Sequence, residues 1–321
     1  MGRKVKKKKS GIRLFAAFLL MVVLAALVYQ SIIIPGKHYI FEQEYDNRTS
    51  LKIEPAPAVF ISPDKLNSPN AILVRLKDQA ILMQKNSEEK IYPASLTKMM
   101  TVIVAIEELP NLKGEIELTN STFQGLYEAD ASMAGLQPGE RVRAIDLLYG
   151  VMLPSGAECC IGLADYIAGS EQGFVKMMNQ KAAALGMDNT HFANTTGLHA
   201  ENHYTTVKDL AILLSHALQN EPFREIFISF RHSTAPTNKH PGGITFYSTL
   251  FADLHNQNSI GGEILGGKTG YTEEAGLCLA SLAKVDKQEY ILITAGAKGN
   301  SKSERYNVTD ALAVYNSLEK K

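Results

Sequence analysis

The 321-residue chain is expected to form an α+β domain: an antiparallel sheet flanked by helices, with a helical subdomain inserted in the middle and one transmembrane helix ahead of it. Three observations carry this expectation. Strand patterns stand near both ends of the globular part, at 71–85 and again after 226, while helical patterns fill the middle. The last two strand runs are separated by only four residues, which makes them neighbours in an antiparallel meander. An uncharged run of 21 residues, 14–34, comes before all of it.

The elements follow in chain order. Residues 1–13 carry seven basic side chains (Arg3, Lys4, Lys6, Lys7, Lys8, Lys9 and Arg13) and no acid. The run 14–34 is long enough to cross the core of a bilayer. A basic cluster in front of such a run predicts an N-terminus in the cytoplasm and the remaining chain outside it, as a single-pass protein of the cell membrane. A cleaved signal peptide is the rival reading. Its apolar core would be shorter and a small-x-small site should follow, so the uncleaved anchor is preferred. Residues 35–68, with Pro35, Pro55, Pro57 and Pro63, read as a Pro-containing spacer. The globular domain is then 69–321, with its helical subdomain at about 110–220.

Runs 71–76 and 80–85 around Lys77-Asp78-Gln79 read as a hairpin. A central helix opens at Ser95 and is apolar on almost every side from 96 to 106, the mark of a helix buried all round. Helical patterns continue over 144–184 and 207–218. Strands are expected after Ile226 and at 277–284 and 289–297, and a final helix covers 308–318.

Charge and composition exclude several functions. The chain holds 33 basic and 33 acidic residues, but without the seven N-terminal positives the rest is acidic, which argues against nucleic acid as a partner. Cys159, Cys160 and Cys278 are an odd number with one adjacent pair, no disulfide framework, and read as small buried hydrophobes. The eight histidines lack the close His/Asp clustering of a zinc site. His191, His199 and His203 come nearest and read as loop residues. No metal or cofactor is expected, and no glycine-rich phosphate loop or repeat stands out.

Ser-x-x-Lys occurs five times, starting at Ser62, Ser87, Ser95, Ser281 and Ser317, so the pattern alone selects nothing. Context selects Ser95, which follows Pro93-Ala94 at the head of the buried helix, where proline suits a helix start. Three residues apart on a helix, Ser95 and Lys98 share a face. Lys268-Thr269-Gly270 lies between the glycine-rich 261–267 and Tyr271, just before the final strand pair. Small residues at a strand edge let an extended peptide approach closely. Between the two lies Ser155-Gly156-Ala157.

These segments, with 91–101, 267–276 and the stretch 182–214 containing His191-Phe192-Ala193-Asn194 and Thr196-Gly197-Leu198, resemble the serine-type D-alanyl-D-alanine carboxypeptidases, the low-molecular-mass penicillin-binding proteins of peptidase type S11. The resemblance runs from about Asn70 to the C-terminus. It implies a β-lactamase/transpeptidase-like fold and a role in peptidoglycan biosynthesis, cell-wall biogenesis and cell shape. The expected substrate is a peptidoglycan stem peptide ending in D-Ala-D-Ala, and β-lactams should acylate the same serine. By the same resemblance Ser95 is the nucleophile, Lys98 its base and Ser155 a proton relay. Lys268, Thr269, Gly270 and Tyr271 receive substrate, and Arg305 pairs with its carboxylate.

One departure matters. The family's second motif is usually Ser-x-Asn, and here Ala157 takes the third place. A neutral hydrogen bond to substrate is thereby lost, worth about 0.5–1.5 kcal/mol; Glu158 is expected to stand in for it in part. DD-endopeptidase or transpeptidase action, a serine β-lactamase, and a non-turnover β-lactam- or peptidoglycan-binding protein are the alternatives.

Overall fold

Strand β10 (Gln288–Ala297) shows why this chain builds a sheet covered on both faces. Ile291, Ile293 and Ala295 belong to one apolar cluster and Leu292 to the other. Strand β9 (Gly276–Val285) repeats the alternation, with Cys278, Ala280 and Leu282 on one side and Leu279, Ala283 and Val285 on the other. Side chains of a strand alternate faces, so runs that are apolar at every position need a cover on each. The computed structural model describes residues 51–53, 62–254, 263–300 and 303–318, all within one unit, Asn47–Lys321.

Six strands form the main sheet in the order β1 (Lys52–Ile53), β3 (Ala80–Lys85), β2 (Asn70–Arg75), β10, β9 and β8 (Glu263–Thr272). All neighbours are antiparallel except β1 and β3. The β9–β10 turn is tighter than the four-residue separation expected. Asp286 and Lys287 both take positive φ, 49° and 65°, the geometry of the two-residue turn that matches strand twist. On one face lies α8 (Tyr306–Asn316), whose Tyr315 hydroxyl is bonded to Ser281 at 2.9 Å inside the sheet. On the other lie α1 (Lys98–Glu108) and α5 (Val207–Ala217).

The helical part is built from α2 (Ala144–Met152), α3 (Ala157–Ala168), α4 (Glu171–Leu185) and α6 (Glu221–Phe227), with a ribbon of β4 (Glu115–Leu118) and β5 (Glu140–Arg143). The single helical pattern at 144–184 is three helices. Gly169, at φ 74°, ends α3, and Ser170 caps α4 through a bond from Gly173 N–H. The strands expected after Ile226 do follow it, once α6, which contains Ile226 and starts with an Asn220 cap and a proline in its first turn, has ended. The strands there, β6 (Arg231–Ser233) and β7 (Thr245–Tyr247), form a separate pair before α7 (Thr249–Leu254).

Two pieces of the stretch read as a spacer are part of the domain. Lys52–Ile53 pairs with Ala80–Ile81. Asp310 of α8 accepts bonds from the Asn67 and Ser68 backbone N–H groups and the Asn67 amide at 2.8–2.9 Å. Proline content signalled an extended backbone there; the fold uses it as an edge strand and a turn. The anchor 14–34 and the basic segment lie outside the described residues. Among the described residues no helix is long and apolar enough to cross a membrane.

Candidate active site

Ser95 does not sit in the α-helix itself. It belongs to a 3-10 turn, Ala94–Thr97, that feeds into α1 at Lys98. The turn starts from Ala94 at φ 46°, a left-handed position that costs a non-glycine residue on the order of 1–3 kcal/mol and clusters at functional sites. In a 3-10 turn residues i and i+3 eclipse, and Lys98 Nζ accordingly lies 3.1 Å from Ser95 Oγ. Lys98 is 2 % exposed, while Ser95 keeps partial access to solvent.

A loop at 194–198 holds the amine from the other side. Lys98 Nζ donates to the Thr196 carbonyl at 2.6 Å. Asn194 Oδ1 accepts from the backbone N–H groups of Gly197 and Thr196. Glu171 accepts from both the N–H and the hydroxyl of Thr195, and the Thr101 hydroxyl of α1 donates to the Thr195 carbonyl. Gly197, at φ 82°, has Ala94 so close that a Cβ would stand 1.9 Å from its carbonyl oxygen. The stretch was legible as part of the resemblance, but these positioning roles were not.

His203, read from sequence as a loop residue, is buried with Nε2 2.8 Å from the Thr97 hydroxyl. Its Nδ1 accepts from Ala193 N–H, so Nε2 carries the proton and donates to Thr97. Burial first, then His191 and His199, pushes its pKa down to about 4. The unfolded chain therefore binds this proton before the folded one does. Stability from this residue is complete above about pH 6.5 and is lost as pH falls toward 4, by about 3 kcal/mol. Denaturant titrations at pH 7 and pH 4 are expected to show His203→Gln losing that much less than wild type between the two; equal losses would mean His203 does not stay neutral in the fold.

Strand β8 brings the third segment to the same turn. At Gly270 a Cβ would lie 3.1 Å from Ser95 N and 3.2 Å from the Ala94 Cβ, so glycine lets the edge strand press against the serine. Lys268 is fully buried, and its Nζ donates to the Thr269 carbonyl at 2.8 Å. Thr269 shares a 2.7 Å hydroxyl contact with Thr249. Tyr271 is 37 % exposed at the strand end.

Burial pushes the Lys98 amine below the usual lysine range, while Cys160, Glu158 and Cys159 pull the other way. Lys268 is pushed down further, by burial and then by Lys98, with Cys160 opposing. The Cys160 thiol is itself raised to about 12 by burial, so it is a neutral neighbour. Burial thus favours the uncharged form of Lys98, and that form, in contact with a serine hydroxyl, is a base within reach of its proton.

Ser155 precedes α3 at φ 69°. Its Oγ is buried and has no hydrogen-bond partner among the described residues, so no bond ties it to Ser95 or Lys98. Its turn is fixed by Gly156 N–H to Gly150 and Ala157 N–H to Ser132, both 2.8 Å. Glu158 does not replace the missing amide: it is fully buried and has no N–H to donate, and one of its oxygens is taken by three backbone N–H groups of 134–136. Arg305 stands at the start of α8 and bonds Asp253 at 2.9 Å and the Asn300 carbonyl at 3.1 Å. Both carboxylate and carbonyl come from the protein, where a substrate carboxylate was expected.

Comparisons with known proteins point to one family. The family profile described as D-alanyl-D-alanine carboxypeptidase, Peptidase_S11, matches residues 58–299. The chain is 34 % identical to D-alanyl-D-alanine carboxypeptidase DacF of Bacillus subtilis over 71 % of its own length and 57 % of that protein's. It is 31 % identical to DacC of Escherichia coli over 81 % and 65 % of the two lengths. It thus spans about six tenths of these curated relatives. Among solved structures, the Streptomyces K15 DD-transpeptidase superposes with a TM-score of 0.71 at 25 % identity, covering 80 % of this chain and 98 % of that one.

Proposed function

The chain belongs to the D-alanyl-D-alanine carboxypeptidase family, peptidase S11, and on that footing we propose that it is a serine carboxypeptidase that removes the terminal D-alanine from peptidoglycan stem peptides and is acylated by β-lactams. The observation that carries the proposal is the 3.1 Å contact between Ser95 Oγ and the buried Lys98 amine. A serine hydroxyl attacks only when a base takes its proton, and burial favours the neutral lysine that can do so.

In this reading Ser95 Oγ attacks the carbonyl between the two D-alanines while its proton passes to Lys98. Ser155 relays that proton to the departing amine. The backbone N–H groups of Ser95 and Tyr271 are the donors for the oxyanion, aimed where charge develops. Lys268, Thr269 and Gly270 line the strand that receives the peptide's terminal carboxylate. The incoming carboxylate supplies the counter-charge that the Lys268 amine lacks in its buried setting. Arg305 takes part by exchanging Asp253 for that carboxylate, a bidentate pairing suited to its planar fork. Water then releases the acyl group. The anchor proposed for 14–34 would hold this chemistry outside the cytoplasmic membrane.

The test uses the full-length chain. It is expected in the membrane fraction, and on incubation with a stem pentapeptide, mass spectrometry should show the loss of one alanine. An unchanged peptide mass counts against the hydrolase, and recovery in the soluble fraction counts against the anchor.

A further inference from the structure

Thr249 joins two of the segments that flank Ser95. Its backbone N–H donates to the Leu153 carbonyl at 3.2 Å, just ahead of the Ser155 turn. Its hydroxyl lies 2.7 Å from that of Thr269 on β8. Leu250, the next residue, packs against Gly267, where an added Cβ would stand 2.6 Å from the leucine Cδ2. Glycine thus lets α7 lie directly on β8. Neither hydroxyl has a further hydrogen-bond partner among the described residues. A hydroxyl carries one proton to donate, so a contact between two of them leaves one proton unspent. Both residues are half-buried, so that proton can be reached from outside.

We propose that Thr249 is a specificity-determining residue: its hydroxyl and that of Thr269 form a joint seat for the terminal carboxylate of the substrate, and the seat selects a free-acid terminus over an amidated one. This seat presupposes the reading of β8 as the strand that receives that carboxylate.

Chemistry and placement both support it. A carboxylate only accepts, and hydrogen bonds to it are shorter and stronger than neutral ones. Whichever hydroxyl accepts within the pair keeps its own proton for the anion, and accepting a bond strengthens that donation. An amide terminus is neutral and brings N–H donors of its own, so it draws less from the same seat. As to placement, Asp253 follows Thr249 by four residues and shares its face of α7. Arg305 bonds Asp253 at 2.9 Å. A substrate carboxylate that displaces Asp253 from Arg305 therefore arrives one helical turn from the Thr249 hydroxyl.

The test compares a peptide ending in D-Ala-D-Ala with its C-terminal amide, using the full-length chain. Wild type should hydrolyse the free acid about tenfold more efficiently by kcat/KM, or better, since a hydrogen bond to a charged group is worth at least that factor. Thr249→Val keeps the branched shape and removes the hydroxyl. It should lower kcat/KM for the acid roughly tenfold, mainly through KM, and change the amide less than about twofold. Thr249→Ser restores the hydroxyl and should recover most of the loss. A hydroxyl that only held α7 against β8 would, when removed, slow both peptides alike. That result would overturn the proposal, as would a wild type indifferent to the amide.

A second measurement needs no turnover. N-Acetyl-D-alanine, and separately its amide, is titrated into the 15N-labelled full-length chain while the Gly270 amide signal is followed by NMR. Wild type should bind the acid more tightly than the amide, and Thr249→Val should lose about tenfold of its affinity for the acid. Equal affinity in the two proteins, or a wild-type signal that does not move, would sink the seat. If wild type cleaves neither peptide, the enzymatic reading fails, and this titration still decides whether Thr249 serves a carboxylate.

Discussion

Ser95→Ala is expected to give a folded protein that fluorescent penicillin does not label and that releases no D-alanine from a stem pentapeptide. The substitution removes the only atom that forms the acyl bond and leaves the rest of the groove intact. Losing a nucleophile of this kind lowers turnover by at least about 10⁴-fold. Stability should barely change, because Ser95 is partly exposed and its hydroxyl gives up one contact with Lys98, worth about 1 kcal/mol. Gel fluorescence and a denaturation curve measure the two effects separately. Labelling that survives would move the nucleophile elsewhere, with the buried Ser155 hydroxyl as the first alternative to examine.

Gly197→Ala should be the most damaging change outside the reacting groups. The new Cβ would lie 1.9 Å from the Ala94 carbonyl oxygen, 2.4 Å from its carbon and 3.0 Å from Ser95 N. All three are backbone atoms, so no rotamer change relieves the clash. The position also sits at φ 82°, where an alanine is strained even in open space. Together the two effects are expected to cost about 3 kcal/mol or more.

Activity should fall further than stability, since relief of the clash pushes Ala94 and Ser95 away from Lys98. A displacement of about 1 Å at reacting atoms is worth roughly a hundredfold in rate. Gly186→Ala is the control. It has a similar φ of 75° but nothing within 4 Å of the added carbon, so it tests strain without the clash. Denaturation midpoints and penicillin acylation rates for the two variants settle the matter. Equal behaviour would show that the contact with Ala94 is not what Gly197 provides.

The parts that were legible in the sequence are those fixed over short stretches of chain. Strand runs at 71–76, 80–85, 277–284 and 289–297 fall within a residue or two of β2, β3, β9 and β10, because burial on both faces writes itself as unbroken apolar runs. The Ser95–Lys98 approach was readable because three residues of helical backbone set it, although the turn proved to be 3-10. The helix at 221–227 was missed because a short helix made by an Asn cap and a proline carries little periodicity. The pairing of Lys52–Ile53 with β3 was missed for a different reason: a two-residue strand has no pattern of its own and exists only by its partner.

The sequence by itself settled the family, four of the six strands of the main sheet and the approach of Lys98 to Ser95, since each depends on neighbours along the chain. Tertiary structure alone decided that the Thr196 carbonyl steers Lys98, that Arg305 is paired with Asp253, that His203 holds Thr97, and that Glu158 is buried with its carboxylate on the 134–136 loop. Those contacts join residues tens to about a hundred positions apart, and side-chain chemistry cannot announce a partner that only packing brings within 3 Å. Should Lys98 and Ser95 be found apart in the working enzyme, the short-range reading fails first and the long-range one loses its purpose.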